Sequence, residues 1–115
     1  DLLAYKKSFE LAMYIFKISK SFPKEEQYSL TDQIRRSSRS VAVNIAEATR
    51  KRRYEKHFIS KLTDSDAENA ETQGWLEFAH ACEYLKKDEF DFLTEKSNEV
   101  GKLLNYMMNN PDKFL

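Results

Sequence analysis

The chain is poor in residues that bend or cross-link a backbone. Its 115 residues include two glycines, two prolines and one cysteine. So few breakers leave little room for the many turns of an all-β fold, and long helices become the default. Cys82 has no second cysteine to pair with, which excludes a disulfide framework and a cysteine metal cluster. No apolar run approaches the ~20 residues needed to cross a membrane as a helix, and no signal-peptide pattern opens the chain. A cytoplasmic protein is expected. Starting at Asp1 without an initiator Met, the sequence is expected to lack a few leading residues. Residues 1–115 suit a single domain with a real core.

Net charge is absent too, with 19 basic side chains against 19 acidic ones. The balance is not local. Residues 35–61 carry nine basic side chains against Glu47 and Glu55, a net +7. Residues 62–100 carry eleven acidic ones against Lys86, Lys87 and Lys96, a net −8. A partner feels this local field rather than the sum.

Four helical segments are expected. The first runs from about Leu2 to Ser21 and stops at Phe22-Pro23, because proline disfavours helix in the residue before it. The second starts near Ser29, where Ser29-Leu-Thr-Asp32 has the form of a capping box, and continues to about Arg50. The third spans about Tyr54 to Leu85. Asp88 is the expected N-cap of the fourth, with Asp91 in its first turn, and Asn110-Pro111 ends it. Short connections make these neighbours antiparallel, hence an all-α, up-down four-helix bundle.

The first helix has more apolar surface than a bundle needs. Leu2, Tyr5, Phe9, Ala12, Met13 and Phe16 form one stripe, and Ala4, Leu11, Ile15 and Ile18 another, nearly opposite. One stripe a little over ~100° wide suffices for a bundle helix. The second needs a partner, and the simplest is another copy of the chain. On the second helix Leu30, Ile34, Ser37, Ser38, Val41 and Ile45 form the inward face, with Arg36, Arg39, Val43, Ala46 and Arg50 on the far side.

Three words of sequence resemble a known family: Phe22-Pro-Lys-Glu-Glu, then Leu30-x-x-Gln-Ile-Arg-Arg36, then Ser40-Val-x-x-Asn-Ile-Ala-Glu47. In this order and spacing they resemble the 23S ribosomal RNA intervening-sequence proteins, a four-helix-bundle family. Glu71-Thr-Gln73 resembles a further segment in the third helix. Ala48 stands where the family has glycine, the basic connector before Phe58 is one residue longer, and Asp64-Ser-Asp-Ala-Glu68 is more acidic. The resemblance implies a bundle that closes into a homo-oligomeric ring, a pentamer. It also implies similarity to the accessory protein of diversity-generating retroelements, a basic ring that binds nucleic acid and a reverse transcriptase. Arg35, Arg36 and the connector Arg50, Lys51, Arg52 and Arg53 match the family's basic region.

The basic run has its own chemistry. Four consecutive cations at 50–53, followed by Lys56, His57 and Lys61, suit a phosphate backbone, whose counterions they would release. Tyr54 among them can stack on a base. Arg35, Arg36 and Arg39 extend the candidate RNA or DNA surface along the second helix. A guanidinium fork suits carboxylates equally well. The alternative is therefore a protein-interaction or scaffold ring whose arginines serve subunit contacts. Unpaired cations on one face favour nucleic acid; pairing with a neighbour's carboxylates favours the scaffold.

An enzyme is not expected. Glu77-x-x-His80 has the i, i+3 spacing of di-iron bundles, but those need a second such pair, and Tyr54 precedes His57 instead. A lone site at Glu77, His80 and Glu83 is the one metal arrangement left, against an ordinary polar helix face. No cofactor is expected, no glycine loop cradles a phosphate, and no nucleophile constellation is present. Asp66, Asn69 and Thr72 fall on the stripe of Phe58, Leu62 and Leu76. They line a polar pocket or, more simply, form a network that fixes register, through Asn44–Asn69 or Asp66 with an arginine. Trp75 with Phe78, and Phe90 with Phe92, are expected in the core or at a subunit seam.

Overall fold

A computed structural model describes residues 2–115. Four helices follow one another: α1 (Leu3–Ser19), α2 (Leu30–Arg50), α3 (Glu55–Ala81) and α4 (Lys87–Asn109). Single 3₁₀ turns at Lys24–Glu26 and Pro111–Lys113 flank the second and close the fourth. Each helix packs on its sequence neighbours, and α1 against α4 completes the square. Among the described residues there is no strand, and no helix is long and apolar enough to cross a membrane.

The core is built from Leu11 and Ile15 of α1, Ile34, Val41 and Ile45 of α2, Phe58, Leu62 and Leu76 of α3, and Leu93, Val100 and Leu104 of α4, each at most 1% exposed. All six expected inward residues of α2 are buried. On α1 the inward stripe is Ala4, Leu11 and Ile15, with Ser8 and Ser19. Of the other stripe Ala12 is buried and Leu2 and Phe16 are half-buried, while Tyr5, Phe9 and Met13 stay exposed at 37%, 51% and 42%, so the bundle itself covers that stripe only in part.

The polar residues in α3 fix how the helices meet. Ser65 Oγ donates to the Val41 carbonyl at 2.7 Å. Thr72 Oγ1 reaches the Glu68 carbonyl at 2.9 Å and shares a hydrogen bond of 2.9 Å with the Ser37 hydroxyl of α2. Asn69 bonds to Ser97 of α4, not to Asn44, which donates instead to Ser40 of its own helix. Asp66 is exposed, contrary to its expected place on the inward stripe. At ~100° per residue Ser65 lies about 20° from Phe58 and Asp66 about 80° away, so the serine takes the buried position.

The helix ends differ from expectation in instructive ways. α1 stops at Ser19, and the amides of Lys20, Ser21 and Phe22 bond three residues back, tightening the chain before Pro23. Ser29 does not cap α2 with its side chain. Its hydroxyl donates to Glu26 Oε1 at 2.6 Å, and the Leu30 amide donates to the same oxygen at 3.3 Å. The carboxylate of Glu26 thus replaces the expected box, and Tyr84 Oη donates to its other oxygen at 2.9 Å.

α3 ends four residues earlier than expected. Glu83 takes φ 64°, and the Tyr84 amide reaches the Ala79 carbonyl at 2.8 Å while the Glu83 amide reaches that of His80 at 3.0 Å. This is a Schellman closure with a non-glycine residue in the left-handed position. Nor is Asp88 the N-cap of α4. The Lys86 amide donates to Glu89 Oε1 at 2.9 Å, so the cap falls at Lys86 and Asp88 joins the first turn.

Candidate nucleic-acid interface

The connector between α2 and α3 is held at both ends. Ala48 and Phe58 are each 0% exposed, and every residue from 50 to 57 between them is exposed. The turn is closed by Lys51 N–H to the Ala48 carbonyl at 2.9 Å and Tyr54 N–H to the Lys51 carbonyl at 3.0 Å. No residue here needs a positive φ, so alanine at 48 serves as well as glycine. Arg50, Lys51, Arg52, Arg53 and Lys56 project from this end of the bundle. Among the described residues, none of them forms an ion pair. Tyr54 is 58% exposed, and its ring lies 5.6 Å from that of His57.

Lys61 and Arg36 do not share this freedom. Lys61 Nζ lies 3.1 Å from Glu47 and 3.8 Å from Asp64. Arg36 turns toward α3, with one guanidinium nitrogen 3.2 Å from Glu68 and another bonded to Glu71. The hydrogen bond to Glu68 leads the causes that raise the Arg36 pKa. Glu71 also accepts from Trp75 Nε1 at 3.1 Å. Arg35 and Arg39 turn the other way, toward Phe16 of α1, at 4.9 and 5.7 Å from its ring centre. Eleven residues of α2, a rise of about 16 Å, separate Arg39 from the connector at Arg50. The candidate residues therefore fall into three places rather than one surface.

Two partners were not legible. Lys20 joins Arg35 and Arg39 over Phe16, at 4.8 Å, one helical turn beyond that ring in sequence. Glu26 and Tyr84 are 58 residues apart, and no local pattern links them. His80 stacks on Phe90 at 4.3 Å and 12°, with Glu77 and Glu83 exposed. Among the described residues, no three His, Cys, Asp or Glu side chains converge to hold a metal. Phe78 is 61% exposed beside a partly buried Trp75, and Phe92 meets Tyr14 edge-on at 5.0 Å.

The family model described as 23S rRNA-intervening sequence protein matches residues 1–106. The chain belongs to that family. A solved structure is similar to this 23S rRNA-intervening sequence family member throughout. It is a protein of unknown function from the S23 ribosomal protein family of Bacteroides thetaiotaomicron, 30% identical, with a TM-score of 0.84. The match covers 92% of this chain and 98% of that one. No curated protein matches.

Proposed function

We propose that this protein is a non-enzymatic, homo-oligomeric four-helix bundle that binds nucleic acid through the α2–α3 connector. The observation that carries this is the freedom of Arg50, Lys51, Arg52, Arg53 and Lys56, which extend from a rigid turn without an acidic partner among the described residues. Arg36, by contrast, already has Glu68 and Glu71. Exposed Tyr54 supplies a stacking surface beside the cations. In a ring the patch recurs on every subunit, and avidity raises a weak site to a useful one. A pentamer, and kinship with the accessory protein of diversity-generating retroelements, belong to the same proposal.

The exposed row Tyr5, Phe9 and Met13 is the surface we assign to the contact between copies. A second reading rests on that row alone: a protein scaffold without nucleic acid. Titration of labelled single-stranded RNA and duplex DNA at two salt concentrations separates the two. Wild type is expected to bind with steep salt dependence. An Arg50/Lys51/Arg52/Arg53→Ala variant should lose about 3 from the single-strand salt slope, at ~0.7 per phosphate. Sedimentation checks that the variant keeps its assembly. Binding that is absent at low salt, or unchanged in the variant, leaves only the scaffold.

A further inference from the structure

Three cations surround one ring at the other end of the α1–α2 face. Lys20 Nζ, Arg35 Cζ and Arg39 Cζ lie 4.8, 4.9 and 5.7 Å from the centre of the Phe16 ring. The ring attracts each of them, but it cannot cancel their mutual repulsion. Among the described residues, none of the three forms an ion pair. Arg36, one residue away, has two carboxylates.

Arg35 is also fixed in place. Its Nε donates to Ser19 Oγ at 2.8 Å, and Ser19 is 2% exposed and donates in turn to the Phe16 carbonyl at 3.1 Å. That bond orients the guanidinium and leaves its terminal nitrogens as donors. Two grooves meet at this point. One, of ≈ 580 Å³, runs past Tyr28, Thr31, Arg35 and Arg39, with Asp32 as its one carboxylate. The other passes Ser19, Lys20, Thr31 and Arg35. Thr31 and Arg35 line both, so the two grooves join at the guanidinium that Ser19 orients.

We propose that this groove binds a phosphate group carried by a nucleotide, held by Lys20, Arg35 and Arg39. Tyr28, 87% exposed on the same groove, stacks on the base. Charge-assisted bonds from an oriented arginine are the strong ones, and the volume suits a mononucleotide. The site is separate from the connector and stands whether or not the connector binds nucleic acid.

The test is calorimetric titration of the full chain with inorganic phosphate and with adenosine monophosphate. Wild type and the connector alanine variant are expected to bind both ligands alike, the nucleotide more tightly. An Arg35→Gln/Arg39→Gln variant should weaken both by about a hundredfold, each lost charged bond costing on the order of 1.4 kcal/mol, a factor of ten. Tyr28→Ala should weaken the nucleotide and spare inorganic phosphate, and circular dichroism establishes that each variant is folded. Eight-nucleotide single strands with and without a 5′-phosphate identify the source. Preference for the phosphorylated strand over the mononucleotide assigns a nucleic-acid end, and the reverse assigns a free nucleotide. No binding, binding unchanged in the double variant, or binding lost in the connector variant overturns the proposal. So does a site that opens only when Arg39→Glu dissociates an oligomer, because a second copy then occupies the groove.

Discussion

Asn69 holds Ser97 at two points: its amide donates to the Ser97 carbonyl at 2.9 Å, and its own carbonyl accepts the Ser97 hydroxyl at 2.9 Å. Both residues are buried, at 2% and 0% exposed. The pair ties α3 to α4 at one register, because sliding either helix by a residue breaks both bonds. Asn69→Ala is expected to destabilise the fold by about 2–4 kcal/mol, since it leaves the Ser97 hydroxyl with less to bond. Gln73, whose Nε2 lies 2.9 Å from Ser97 Oγ, retains one contact and limits the loss. Urea denaturation followed by circular dichroism reads the difference.

The two glycines should respond differently to alanine. Gly74 lies within α3, and a Cβ placed there meets nothing within 4 Å. Gly74→Ala is expected to stabilise by about 1 kcal/mol, the helix-propensity difference. At Gly101 the same Cβ meets Asn69 Nδ2 at 3.4 Å, so Gly101→Ala should gain less. A melting temperature that rises more for Gly101→Ala than for Gly74→Ala contradicts this ordering.

Glu83 occupies a position made for glycine. Its φ of 64° is in the left-handed region, where a Cβ is crowded by the backbone. Glu83→Gly is expected to raise stability by roughly 0.5–1 kcal/mol, the relieved strain exceeding the added unfolded-state entropy. Thermal unfolding of the purified variant measures it, and a lower melting temperature is the contrary result.

Glu26 gives the fold a pH signature. The hydroxyls of Ser29 and Tyr84 hold its carboxyl below the ordinary 4.5, while hydrogen bonding to that carboxylate pushes Tyr84 up from 10.0 to about 12. A lowered carboxyl pKa contributes stability that is present above pH 4.5 and lost as pH falls through the lowered value. A raised tyrosine pKa contributes stability present below pH 10.0 and lost as pH climbs through about 12. Glu26→Ala should therefore differ most from wild type at neutral pH and converge with it in acid. Melting curves across that range check the first statement. Ultraviolet titration checks the second: one tyrosine should ionise late in wild type and normally in Glu26→Ala.

The fold was legible where one helix decides its own face. Leu30, Ile34, Val41 and Ile45 repeat at helical spacing, and all are buried. Legibility failed where a distant group or an atypical residue decides. No glycine marks the end of α3, so the left-handed turn at Glu83 was hidden. Asp88 carried the usual cap signal, but Glu89, reaching back to the Lys86 amide, placed the cap two residues earlier. For the candidate site, the contiguous run at 50–53 was visible because its members are neighbours in sequence. The group of Lys20, Arg35 and Arg39 is assembled across two helices by Phe16, and sequence spacing cannot bring those together.

The closed turn at 51–54 has an entropic consequence. The amides of Lys51 and Tyr54 are bonded and both its anchors, Ala48 and Phe58, are 0% exposed, so the backbone bearing the cations has less freedom to lose on binding than an open chain. A floppy tail with the same charges gives up about 1–2 kcal/mol for each residue it orders. This connector avoids part of that loss and, by the same token, moulds itself less to its ligand. Whatever docks there must supply the flexibility.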